Sequence, residues 1–156
     1  GALDPVERVA AARVMVGELL DYSLGSSAAT DGLPEVLATG KGVCRDFAHL
    51  MAGLLRATDL PARLVSVYAP ELSPMDFHAV VEVAIEGRWW VVDATGLAPR
   101  EGMLRIATGR DAADTAFLAN DGSALTLRDL SVRAVATGGA AGQSTVDDPR
   151  ALVALA

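Results

Sequence analysis

The hydrophobic period of this chain changes once, at Leu60-Pro61, and that switch restricts the fold more than any other feature. Upstream, apolar residues recur every three or four positions. Downstream they alternate every second one, so a helical half precedes a half built of antiparallel strands. The expected class is α+β. With 156 residues, 51% hydrophobic and 21% charged, the chain carries enough apolar surface to offset the entropy of ordering one domain and too little length for two.

In the helical half, Asp4-Pro5-Val6-Glu7 sets a cap residue, a first-turn proline and a capping-box glutamate in register. Val6, Val9, Ala10, Val14, Leu19 and Leu20 follow, predicting a helix to about Leu20. Residues 24–32, rich in Ser, Gly and Thr, read as a loop; a short helix from Pro34 to Ala38 ends at Gly40, and the chain turns at Gly40-Lys41-Gly42. From Cys44 to about Thr58, Phe47, Leu50, Met51, Leu54 and Leu55 form one apolar stripe, so a helix begins at the cysteine.

In the strand half, Arg63–Tyr68, Phe77–Ile85 and Arg88–Asp93 read as strands, the last two joined by a Glu86-Gly87 hairpin turn. A short strand at Leu104–Ala107, a turn at Gly109-Arg110-Asp111 and an alternating stretch from Leu125 to Val135 extend the sheet. Beyond it, 137–142 reads as a Gly-rich linker, and Asp148-Pro149 as the cap of one brief helix to Leu155. Residues 1–136 are therefore taken as one domain and 137–156 as linker and tail. The start at Gly1 and the Gly-rich tail are read as marks of an excised piece.

Several function classes drop out. The net charge of −7 and pI near 4.7, with Lys and Arg scattered singly, leave no basic patch for nucleic acid. No run approaches the roughly eighteen apolar residues of a membrane span, and the acidic first ten residues lack the basic start of a signal peptide, so a soluble, cytoplasmic chain is expected. There is no GxGxxG, Walker loop or CxxC pair, and neither cofactor nor metal is expected.

What remains is a thiol. A single cysteine excludes an internal disulfide, leaving Cys44 either an inert buried residue or a nucleophile. Alone it favours the inert reading. A helix N-terminus, however, stabilises a thiolate and aims the cysteine's own N–H at a developing oxyanion, while Gly40 and Gly42 leave room for a carbonyl to approach. His78 lies near the start of one strand and Asp93 closes the next, so a hairpin brings a base and its orienting carboxylate together. Packing for His78 and a turn role for Asp93 compete with this, as does a weak metal site of Cys44, His78 and Asp93. Joint occurrence in the order helix start, strand, adjacent strand favours the catalytic reading. His49, five residues after Cys44, is rotated off its face and is read as structural. Asp46 and Arg45 are read as able to cap or salt-bridge the helix start and Arg110 and Asp111 as a structural turn pair, with solvated surface charge the competing role for all four.

Gly42-Val43-Cys44-Arg45-Asp46-Phe47-Ala48-His49-Leu50, Leu60-Pro61-Ala62-Arg63, Phe77-His78-Ala79 and Trp89-Trp90-Val91-Val92-Asp93-Ala94-Thr95 resemble the bacterial transglutaminase-like superfamily. Gly109-Arg110-Asp111-Ala112-Ala113-Asp114 is similar to a segment of its candidate cysteine-protease branch. The resemblance, over roughly 22–135, implies a papain-like core with catalytic Cys44, His78 and Asp93 acting on a peptide or amide. The thioester would be resolved by water or an amine acceptor; an idle binding module is the alternative. Tyr22, Val43 and Trp89 are expected as oxyanion or pocket residues, with plain packing the competing role for Tyr22 and core packing for one of the two tryptophans. The family usually has Trp two residues after the histidine; Val80 here bears on the wall of the site and its substrate preference. Branch members commonly carry an N-terminal β-domain that this chain lacks, so it is read as the catalytic core alone or a shorter relative.

Overall fold

The computed structural model describes residues 3–137 and 148–156. Three helices, α1 (Pro5–Leu19), α2 (Leu33–Thr39) and α3 (Cys44–Ala57), precede a four-stranded sheet of β3 (Ala62–Tyr68), β4 (Phe77–Ile85), β5 (Arg88–Val92) and β6 (Leu104–Gly109). A two-residue parallel pair, β1 (Asp21–Tyr22) with β2 (Lys41–Gly42), stands between the helices. The sheet order is β5-β4-β3-β6, antiparallel throughout.

Local chemistry explains the boundaries. Asp4 accepts the Glu7 N–H at 2.8 Å while the Glu7 carboxylate accepts the Asp4 N–H at 3.0 Å, the reciprocal box expected from the sequence. Gly40 ends α2 in the left-handed region, φ 64°, where a side chain would be strained. Glu86 and Gly87, both at positive φ, make the tight turn between β4 and β5.

Strand alternation divides the core in two. Val81, Val83 and Ile85 join Phe47, Leu50, Met51 and Leu55 of α3 on one face. Val65, Val67, Val80 and Val91 face the other way, against Leu72, Met103 and Leu155. Val80 is thus core, 1% exposed. Beside it Glu82 is fully buried yet satisfied by Arg63, at 2.6 Å, and by Arg105.

The helix expected to about Leu20 forms, with Val9 and Val16 buried and Val14 and Leu19 exposed, because α3 covers a narrower stripe than the apolar residues offer. Other expectations fail. Residues 125–135 form no strand and expose Leu125, Leu127 and Val135; the sheet ends at β6. The tail makes no helix to Leu155. Val153 instead bridges Val91 of β5, and the Arg100 guanidinium binds the carbonyls of Val91, Ala151 and Asp148, each at 3.0 Å, so backbone pairing to the sheet wins over helix. Arg110 pairs with Asp114 at 3.1 Å, not with Asp111. The linker reading at 137–142 lies, apart from Thr137, outside the described residues.

Leu55→Ala, at a fully buried position, is expected to lower unfolding stability by about 2–5 kcal/mol in urea titration, while Leu19→Ala on the exposed side of α1 should stay within about 0.5 kcal/mol.

Candidate active site

Cys44 is the first residue of α3 and is partly exposed. Val43, extended at φ −109° and ψ 179°, is the N-cap, and its side chain makes no capping bond. Asp46 caps instead: its carboxylate reaches back to the Val43 N–H at 2.9 Å. Asp46 is therefore buried, 3% exposed, and is tied to Arg45, which also binds Ser27 and the Ala28 carbonyl. Of the two roles expected for Arg45 and Asp46, capping and pairing at the helix start is the one found, not solvated surface charge. Gly42 also changes meaning, since a Cβ there would lie 2.8 Å from the Asp46 Cβ; its bareness admits the cap, not a substrate.

The β1-β2 pair sets Tyr22 opposite Gly42, which brings the phenol to the head of α3. The Cys44 N–H lies close enough to the Tyr22 hydroxyl to act on it as a donor, and the Tyr22 ring packs on Phe47 with centroids 5.8 Å apart. Burial raises the phenol pKa first, and the charges of Cys44, Asp76 and Asp93 add to it, outweighing the Cys44 N–H bond that lowers it. The phenol stays neutral.

His78 and Asp93 are each 1% exposed and joined at 2.8 Å, Nε2 to Oδ2. The other ring nitrogen, Nδ1, is buried with no hydrogen bond of ordinary geometry to a described residue. Cys44 nonetheless lies close enough to act on the ring by hydrogen bonding and charge, a looser contact than that to Asp93. Burial, the largest influence, pushes the imidazole toward its neutral form. Asp93 and Cys44, each by hydrogen bond and charge, together outweigh it and lift the pKa to about 10. Burial likewise pushes the Asp93 carboxyl up, but the His78 bond and charge, then the Thr95 hydroxyl and amide, hold it below its ordinary value.

Thr95 is the residue that sequence reasoning left without a role. Its N–H and O–H both bind Asp93 Oδ1, at 2.8 and 2.7 Å. The Asp-Ala-Thr spacing, a carboxylate bonding the backbone two residues on, is the signal that was available. Two expected pocket residues are not free for such a role. The Val43 N–H is committed to Asp46. Trp89 sits four residues from Asp93 along β5, roughly 13 Å away, stacked at 4.0 Å with the Arg63 guanidinium. His49 is partly exposed on α3, and no bond joins it to the thiol or to His78–Asp93. Beside the histidine, Phe77 packs between Tyr68 and Phe117, at 5.8 and 5.7 Å. Among the described residues no three carboxylate, imidazole or thiol groups are arranged to hold a metal ion, and no helix is long and apolar enough to cross a membrane.

Known proteins are similar to this chain in sequence and fold. An uncharacterized protein of Mycobacterium leprae is 34% identical over 127 residues, 74% of this chain and 44% of that protein. The crystal structure of a candidate cysteine protease from Cytophaga hutchinsonii superposes with a TM-score of 0.67 at 44% identity, over 69% of this chain and 37% of that one. EGTA-treated LapG of Legionella pneumophila gives 0.52 at 18% identity, over 76% and 73%, a likeness of fold alone. The chain spans less than half the length of the first two. A helix-start cysteine on an antiparallel sheet is the α+β, papain-like core expected, and the model of the transglutaminase-like superfamily matches residues 1–94, ending just past Asp93. On that match the chain belongs to the transglutaminase-like superfamily.

Proposed function

We propose that Cys44, His78 and Asp93 form a thiol acyl-transfer triad that hydrolyses an amide or peptide bond. The observation that carries this reading is the buried His78–Asp93 bond, which leaves Nδ1 available on the side of Cys44. An imidazolium held by a carboxylate is the partner a thiolate needs at neutral pH.

The cycle balances as follows. The Cys44 thiolate attacks the carbonyl carbon, and the displaced electron pair collects on oxygen. That oxygen replaces the Tyr22 hydroxyl as acceptor of the Cys44 N–H, freeing the phenol O–H to donate to the oxyanion as well. Collapse breaks the C–N bond, His78 Nδ1 gives its proton to the departing amine, and a thioester remains on Cys44. Water, losing a proton to the now neutral His78, cleaves the thioester and restores the ion pair. The Cytophaga hutchinsonii likeness to a cysteine protease favours water as acceptor. Transamidation needs only an amine in place of that water, and an idle binding module is the reading left if neither occurs. The catalytic domain is taken as 1–136 and 137–156 as linker and tail, of which 148–156 packs back on the sheet through Val153 and Leu155; peptide or amide donors are its partners.

Incubation with amide donors, with and without an amine, separates these outcomes. The wild type should release amine and Cys44→Ala none above the buffer rate; product that grows into an amide only when amine is added marks transamidation. Equal product from both proteins ends the enzymatic reading.

The pH profile gives a second check. Because the His78 pKa is raised, the imidazolium persists through neutral pH and is lost as pH rises through about 10, so turnover should persist into the alkaline range and fall near there. Asp93→Asn removes the charge that opposes burial. Its kcat is expected to drop by roughly 10²–10⁴, with the alkaline limb moved toward neutral pH.

A further inference from the structure

We propose that Thr95 is the positioning residue of the His78–Asp93 pair, its amide and hydroxyl together fixing the carboxylate so that Oδ2 alone is presented to the imidazole. The inference rests on the acyl-transfer reading and concerns a residue that touches no reacting atom. A carboxylate at the end of a strand can turn about its last torsion and offer either oxygen, or neither, to a neighbour. Here both Thr95 donors occupy Oδ1, at 2.8 and 2.7 Å, while Oδ2 takes the His78 Nε2 at 2.8 Å.

The bonds run in one direction. The Leu97 N–H donates to Thr95 Oγ1 at 3.2 Å, which fixes the hydroxyl rotamer. The single hydroxyl hydrogen goes to Asp93 Oδ1, so at 3.4 Å from Nε2 the Thr95 oxygen meets the ring with a lone pair. Carboxylate and hydroxyl thus both accept from Nε2–H. That keeps the proton of the neutral ring on Nε2 and leaves Nδ1 as the basic nitrogen on the side of Cys44. Thr95 is only half-buried, so the position tolerates small changes of side chain.

Thr95→Val keeps the shape and the amide but loses the hydroxyl; Thr95→Ser keeps both donors. With ¹⁵N-labelled histidine, and His49→Gln to assign the two rings, the wild type should give a hydrogen-bonded Nε2 proton signal that persists into alkaline pH. Thr95→Val is expected to lose that signal and lower the His78 titration midpoint by about one unit, with kcat down about tenfold and KM within about twofold. Thr95→Ser should match the wild type in all three. A folded Thr95→Val with the wild-type signal and midpoint, or a Thr95→Ser that behaves like the valine variant, overturns the proposal. If the valine variant does not fold, Thr95→Ala is read by the same criteria. The ring signals need no turnover: a wild type that processes no amide donor, with the ring signals as stated, sinks the acyl-transfer reading and leaves the positioning role standing.

Discussion

The packing of α3 along β4 is the constraint on which the remaining geometry depends. Phe47, Leu50, Met51 and Leu55 meet Val81, Val83 and Ile85 in one core, so the helix and the strand are fixed side by side. Cys44 heads the helix and His78 stands at the start of the strand. Whatever shifts that contact shifts thiol against imidazole. The head of α3 is held separately by the Asp46 cap, the bare Gly42 beneath it and Arg45 reaching to the 27–28 loop, so the Cys44 thiol is fixed by the helix start as well as by the packing of the helix.

The pair at the other side of the site is held against its own desolvation. Burial opposes the charged forms of both His78 and Asp93, and each is kept charged by the other and by its further partners, Cys44 for the ring and Thr95 for the carboxylate. The histidine, raised, stabilises the fold fully below 6.5 and loses that contribution as pH climbs through about 10. The aspartate, lowered, contributes fully above 3.8 and loses it on acidification. The coupled pair is thus at full strength in the mildly acidic window between those ordinary values. The same coupling that stabilises the fold supplies the charge a thiolate needs beside it.

Much of this was legible because it is written in local patterns. The capping box at Asp4, the helix start at Cys44, the strand ends at His78 and Asp93 and the Glu86-Gly87 turn each depend on residues a few positions apart. The β1-β2 pair was not legible: two residues per strand carry no period, yet that pair delivers Tyr22 to Cys44. Nor were the last segments: alternation at 125–135 predicted a strand that does not form, and Asp148-Pro149 a helix, whereas Arg100 and Val91 impose an extended path on residues 148–153 from afar. Trp89 was expected at the cleft because Trp89 and Trp90 alternate faces of a strand, but strand length alone carries it roughly 13 Å from Asp93. Thr95 was in view and unread, since its role appears only once the carboxylate rotamer is known.

The central proposal is that Cys44 acts as the nucleophile of a triad with His78 and Asp93. Alkylation by iodoacetamide at pH 6, compared with a free thiol under the same conditions, tests it most directly. Cys44 should react faster than the free thiol by an order of magnitude or more, and Asp93→Asn should remove most of that excess. A wild-type rate no faster than the free thiol, on a folded protein whose Cys44 is partly exposed, would contradict the claim.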